Sequence, residues 1–154
     1  MGLETTHDCW RGSATNFAWW RLYLAHAAGY AIEEHADVPF FSIDLPQHMF
    51  TEENYLGDWN NGPAVEDPLV YLFAHSDSTG VIHPEEGRHL AARLEQILPT
   101  LTVVGGPDLA ARMEQAIPNL TAARMTDEWL QRATRRFITG LRAAAAAGED
   151  VEFF

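Results

Sequence analysis

LVYLFAHSDSTGVIHPEE, Leu69 to Glu86, poses the question on which the fold class of this chain turns. Leu69 to Ala74 is a continuous apolar run directly after Pro68, the pattern of a buried central strand. At its tip, His75, Asp77, Ser78 and Thr79 cluster before Gly80. Asp77 and Ser78 suit the capping of turn N–H groups, and Gly80 suits a positive φ. Pro84 at a first helical position and Glu85-Glu86 in the first turn then open a helix, because proline needs no N–H partner there and carboxylates complement the helix dipole. Leu90, Leu94, Ile97 and Leu98 give that helix an apolar stripe, and Pro99 ends it.

Working outward, Gly2 to His7 reads as an N-terminal strand running into the polar turn His7-Asp8-Cys9-Trp10-Arg11-Gly12. Ser13 is placed to cap a helix from Ala14 to Ala28, in which Phe17, Trp20 and Leu24 recur at helical spacing and Gly29 is the stop. Trp19 and Tyr23 add a second aromatic ridge. At the other end, Thr126 with Asp127-Glu128 opens a last helix whose core face carries Leu130, Ala133, Phe137, Leu141 and Ala145. Gly148 closes it, and Val151 to Phe154 reads as a final strand. Leu101 to Val104 is β-like but short, and 101–125 has the look of an insertion.

The pattern is that of an α/β or α+β protein, one domain over 1–154, with a small sheet of about three strands packed by three to four helices. A strand–helix–strand order favours a right-handed crossover, so the first two strands are expected to run parallel. The turns after them would then share one end of the sheet, where open α/β sheets hold ligands.

Composition narrows the function. Twenty-two carboxylates against ten basic residues, all arginine, give a net charge of −12 over 154 residues. Nine of those carboxylates, and no basic residue, fall between Ala31 and Pro68. Phosphate neutralisation needs a basic surface, so nucleic acid is disfavoured as a partner. Phe40, Phe41, Phe50, Tyr55 and Trp59 make 31–68 too apolar for a disordered linker, so it reads as packed acidic structure with a short helix near Thr51 to Leu56. No apolar run is long enough to span a membrane, and MGLETTHDCW lacks the basic and apolar regions of a signal peptide. The single cysteine, Cys9, leaves no internal disulfide, and the expected compartment is the cytoplasm.

Two constellations could carry chemistry if the turns converge. His7, Asp8, Trp10, Arg11, His75 and Asp77 form a candidate ligand site, with an indole and a guanidinium beside polar groups. His7, Asp8, Cys9, His75 and Asp77 are a candidate divalent-metal set, since imidazole, carboxylate and thiolate are its usual donors. Their spacing matches no recognised zinc motif. With Gly80 at its sixth position the stretch also echoes a calcium loop, but His75 stands at position one and Pro84 interrupts it. Cys9 could pair with a histidine as a nucleophile. A cysteine beside a tryptophan is more commonly packed and inert.

HDCWRG, PLVYLFAHSDSTGVIHPE and TRRFITGLRAAAAAGEDVEF, taken together, resemble a family of short, uncharacterised bacterial and bacteriophage proteins of actinobacterial type. Those proteins share a Cys-Trp-x-Gly turn and a His-Ser-Asp…Gly turn. Ala14 departs from the aromatic residue of that pattern. The resemblance implies a common domain and carries over no catalytic residue.

The expected function is a small acidic soluble binding protein, a phage or mobile-element accessory factor that captures a small molecule or a protein. The enzyme alternative is a metal-dependent hydrolase using His7, Asp8, His75 and Asp77. A third reading is an acidic immunity or inhibitor protein presenting the 31–68 face to a basic partner.

Overall fold

In the computed structural model, residues 2–34, 41–44, 67–76, 78–104 and 125–154 are described. Among them run β1 (Gly2–Glu4), β2 (Arg11–Ser13), α1 (Ala14–Ala27), β3 (Ile32–Glu34), β4 (Phe41–Ile43), α2 (Leu69–Ala74), β5 (Gly80–Ile82), α3 (Pro84–Ile97), α4 (Asp127–Ala147) and β6 (Val151–Phe153). Short 3-10 turns occupy Thr6–Asp8 and Leu98–Thr100. The protein is a small mixed α/β structure with three antiparallel two-stranded pieces: β1–β2, β3–β4 and β5–β6. The expected three-stranded sheet with two parallel leading strands is not what forms. β1 pairs antiparallel with β2, Leu3 opposite Gly12.

The larger correction concerns Leu69–Ala74, which is a helix and not a strand. An apolar run of six residues cannot be assigned by periodicity, because a segment enclosed on all sides is apolar on all sides in either conformation. What makes it helical lies at its two ends. Asp67 Oδ1 accepts from Leu69 N–H at 3.1 Å, filling an orphan donor of the first turn. At the other end one Arg21 Nη1 donates to the carbonyls of Leu72, Phe73 and His75 at 3.2, 3.3 and 2.7 Å. Arg21 comes from α1 and lies over the Phe17 ring, 4.6 Å from its centroid. Asp67 also receives the Tyr30 hydroxyl at 2.8 Å and Arg93 through Nε and Nη2. One carboxylate thus ties the connection after α1 to the start of α2 and to α3.

Other elements follow their local signals. Ser13 Oγ accepts from Asn16 N–H and Thr126 Oγ1 from Trp129 N–H, the two capping bonds expected. Gly29 and Gly148 take positive φ after α1 and α4. Leu101 to Val104 forms no strand. Its Thr102 hydroxyl and Val103 N–H donate to Asp127 Oδ1 at 3.0 and 2.8 Å. The β3–β4 hairpin, unforeseen within the acidic segment, packs beside α1. The expected helix near Thr51 to Leu56 and most of the 101–125 insertion lie outside the described residues.

The core is aromatic. Trp10, Phe17, Trp20, Phe137 and Phe153 stack or meet edge-on at centroid distances of 4.9 to 6.4 Å. Its polar atoms are largely paired: Trp20 Nε1 donates to Thr134 Oγ1 at 2.9 Å, which donates to Leu130 O at 2.7 Å. α3 lies along α4 as the main helix pair. Glu4 and Phe154 exchange backbone hydrogen bonds of 2.9 and 3.0 Å, joining β1 to the end of β6. This bridge sets the β1–β2 pair beside the β6–β5 pair, in the order β2, β1, β6, β5, without merging the two into one sheet.

That order places the two candidate turns. Thr5 bridges Phe153 on one edge of β6, and Gly80 pairs with Phe153 on the other. The His7 turn follows β1 and lies toward the start of β6, where Thr6 Oγ1 donates to Asp150 O and accepts from Glu152 N–H. The His75 turn precedes β5 and lies toward the far end. Reading Leu69–Ala74 as a strand put both turns at one end; as a helix it sends the second to the other.

Candidate functional site

His7 and Asp8 both adopt positive φ, 56° and 57°, rare for residues with a side chain. The turn is held there from outside. Thr5 Oγ1 accepts from Trp10 N–H at 2.9 Å, and Arg136 of α4 donates through Nε to Asp8 O at 3.0 Å and through Nη2 to Asp8 Oδ1. Gly140, also on α4, lets the turn descend onto the helix. A β-carbon at Gly140 would stand 2.5 Å from Cys9 Sγ and 2.8 Å from His7 O.

Each residue singled out in the sequence has a definite place, Asp77 excepted, which lies outside the described residues. His7 Nε2 lies 3.1 Å from Glu149 Oε2. His75 is buried at 3% exposure with its ring 4.3 Å from that of Phe153; Nδ1–H donates to Ser76 O at 2.7 Å and Nε2 lies 3.4 Å from Val81 O. Burial lowers the His75 pKa and favours the neutral ring. The histidine at the His7 end of β6 is instead His83, whose Nδ1 is 2.8 Å from Asp150 Oδ1. Capping in the second turn falls to Ser76, which accepts from Ser78 and Thr79 N–H. Among the described residues no group of three or more histidine, cysteine or carboxylate side chains comes together in a way that could hold a metal. Cys9 is fully buried, and burial pushes its thiol up to about 12, against the opposing hydrogen bond from Thr5. A nucleophile needs the thiolate, which is scarce at neutral pH under those conditions.

Trp10 and Arg11 do line a cavity. A cleft of about 240 Å³ opens between the Cys9–Gly12 turn and α4, bounded by Trp10, Arg11, Asn16, Trp129, Arg132 and Arg136, with Cys9, Gly12 and Ala133 completing it. Trp129, Arg132, Ala133 and Arg136 stand at i, i+3, i+4 and i+7, so the helix itself presents them as one face. That spacing was available in the sequence. It lay beside the apolar stripe of the same helix and was masked by it.

Among the described residues, three guanidinium groups and no carboxylate line this cleft. Each of the three has a carboxylate partner: Glu4 Oε1 is 3.3 Å from Arg11 Nε, Glu128 is 4.0 Å from Arg132, and Asp8 grips Arg136. Arg11 and Arg132 are 71% exposed, and such surface pairs are worth roughly 0–1 kcal/mol, so they compete weakly with an incoming anion. A guanidinium carries five N–H donors, more than one carboxylate uses. The indoles of Trp10 and Trp129 meet edge-on at 6.1 Å. Trp10 is 5% exposed, and its buried Nε1–H has no acceptor among the described residues. An unmet buried donor of this kind costs about 1–3 kcal/mol.

No family model, curated protein or solved structure matches this chain.

Proposed function

We propose that the protein is a binding protein that captures a small anionic molecule in the cleft between the Cys9–Gly12 turn and α4. It would be a phage or mobile-element accessory factor, a reading that rests on the small size and acidity of the chain. The observation that carries this reading is the lining itself: among the described residues, three arginines, two indoles and no carboxylate, in a chain with net charge −12. Arginine recognises carboxylate and phosphate through paired N–H groups, and indole walls exclude water around that contact. Recognition is what these groups supply, through guanidinium N–H donors and indole faces, with the Cys9 thiol buried beneath the turn against Gly140.

The test is calorimetric titration of the full chain with matched anionic and neutral small molecules, alongside an Arg132→Gln/Arg136→Gln variant. Anions bind, heat is lost in the double variant, and affinity falls as salt screens the arginines. Equal binding of neutral and anionic probes, or an unchanged double variant, would sink the reading.

An acidic face for a basic protein partner has less to stand on. Of its carboxylates, Asp67 is committed to Tyr30 and Arg93, and most of 31–68 lies outside the described residues.

A further inference from the structure

We propose that the anion is the carboxylate of a planar aromatic acid, a single ring system with its acid group on Arg136 and Arg11. The inference rests on the anion-binding reading above and adds the chemistry of the ligand.

Size comes first. A cleft of about 240 Å³ falls just below the usual range of small-molecule pockets, roughly 300–1,000 Å³, and suits one ring system better than a nucleotide. The walls come second. The indoles of Trp10 and Trp129, with Ala133 between the arginines of α4, make an apolar flank that inorganic phosphate would leave wet. A flat apolar body beside the charge covers it, with edge-to-face contact to indole available.

The third element is the way Arg136 is held. Its Nε–H and one Nη2–H are taken by Asp8 O and Asp8 Oδ1, which fixes the plane of the guanidinium. The Nη1 donors remain without a protein acceptor among the described residues, on a residue that lines the cleft. Arg11 is similarly engaged through Nε by Glu4, leaving its Nη groups. Two guanidinium groups, each anchored on its Nε side, leave paired N–H groups for a planar two-oxygen acceptor. Asp8 is then a positioning residue, and its left-handed backbone at φ 57° is what turns its carboxylate and carbonyl toward one arginine.

The experiment is isothermal titration of the full chain at low salt with benzoate, benzamide and inorganic phosphate. Benzoate is expected to bind at least about tenfold more tightly than benzamide, which keeps the ring and loses the charge. Arg136→Gln and Arg136→Lys both lose about tenfold, since lysine keeps the charge without the fork. Arg135→Gln, one position round the helix and paired with Gln131, leaves binding unchanged. Phosphate binding with no benzoate binding would overturn the aromatic acid while leaving the anion site standing. Full rescue by Arg136→Lys would overturn the paired-donor geometry. Binding of neither anion would remove this inference together with the reading beneath it.

Discussion

The turn at His7–Gly12 and the turn at His75–Gly80 are alike in composition and opposite in wiring. Each contains a histidine, a neighbouring aspartate in the sequence and a residue at positive φ. In the second turn, among the described residues, the side-chain hydrogen bonds stay close in sequence, while Arg21 of α1 reaches the His75 carbonyl. His75 bonds its own neighbour's carbonyl and packs on Phe153, while Ser76 caps two N–H groups of the same loop. In the first, the partners come from a distant helix. Arg136 and Gly140 of α4 hold the turn, and the surface between turn and helix is left with donors to spare. The first turn encloses space against the helix that holds it; the second buries only its histidine ring, with Ser76, Ser78, Thr79 and Gly80 exposed.

That contrast can be broken most forcefully at Gly140. Gly140→Ala would drive a β-carbon into Cys9 Sγ and the His7 carbonyl, and because the obstacle is partly backbone it cannot relax cheaply. A loss of about 3 kcal/mol or more is expected, read from the denaturant midpoint, with anion binding lost alongside. A loss under about 1 kcal/mol would mean that the turn does not sit on α4 as described.

Gly80→Ala comes next. At φ +124°, with the His75 ring 2.8 Å from a would-be β-carbon, it should cost about 1–3 kcal/mol. Ligand binding at the cleft should survive it. Loss of anion affinity in folded Gly80→Ala protein would show that the two turns are coupled after all.

A smaller effect belongs to His75. Its folded pKa is lowered by burial from the ordinary 6.5, so on acidification the unfolded chain takes up a proton that the folded chain resists. Stability from this group is intact above about pH 6.5 and declines as pH falls below it toward the lowered folded value. The slope of unfolding free energy over pH 7 to 5 should flatten in His75→Gln. An unaltered slope would place the acid sensitivity elsewhere.

The mildest test is chemical. With its thiol buried and its pKa raised to about 12, Cys9 should resist a thiol-specific disulfide reagent at pH 7.5 in the native state. It should react stoichiometrically once denaturant is added. Rapid native labelling would show that the turn opens away from α4.

Much of this architecture could be read locally. Ser13 and Thr126 as caps, Pro84 as a helix start and Gly29, Gly80 and Gly148 as positive-φ positions are all decided within a few residues. Those features depend on one turn of backbone and the side chain beside it, so sequence suffices. Trp10 and Arg11, singled out as candidate contacts, both line the cleft, because both sit in the turn that the N-terminal strand feeds.

Leu69–Ala74 was beyond that reach. Its helical state depends on Arg21, some fifty residues earlier, closing its carbonyl end, and on Asp67, whose carboxylate also meets Arg93. Arg132 and Arg136 were equally illegible as site residues, since a charged helical residue declares a binding role only when another segment lies across it. By itself the sequence determined where backbone must start, stop and turn, because those are short-range questions of hydrogen bonds and φ. Tertiary structure alone decided which turn buries its histidine against Phe153 and which faces a row of arginines, because that depends on what packs against each.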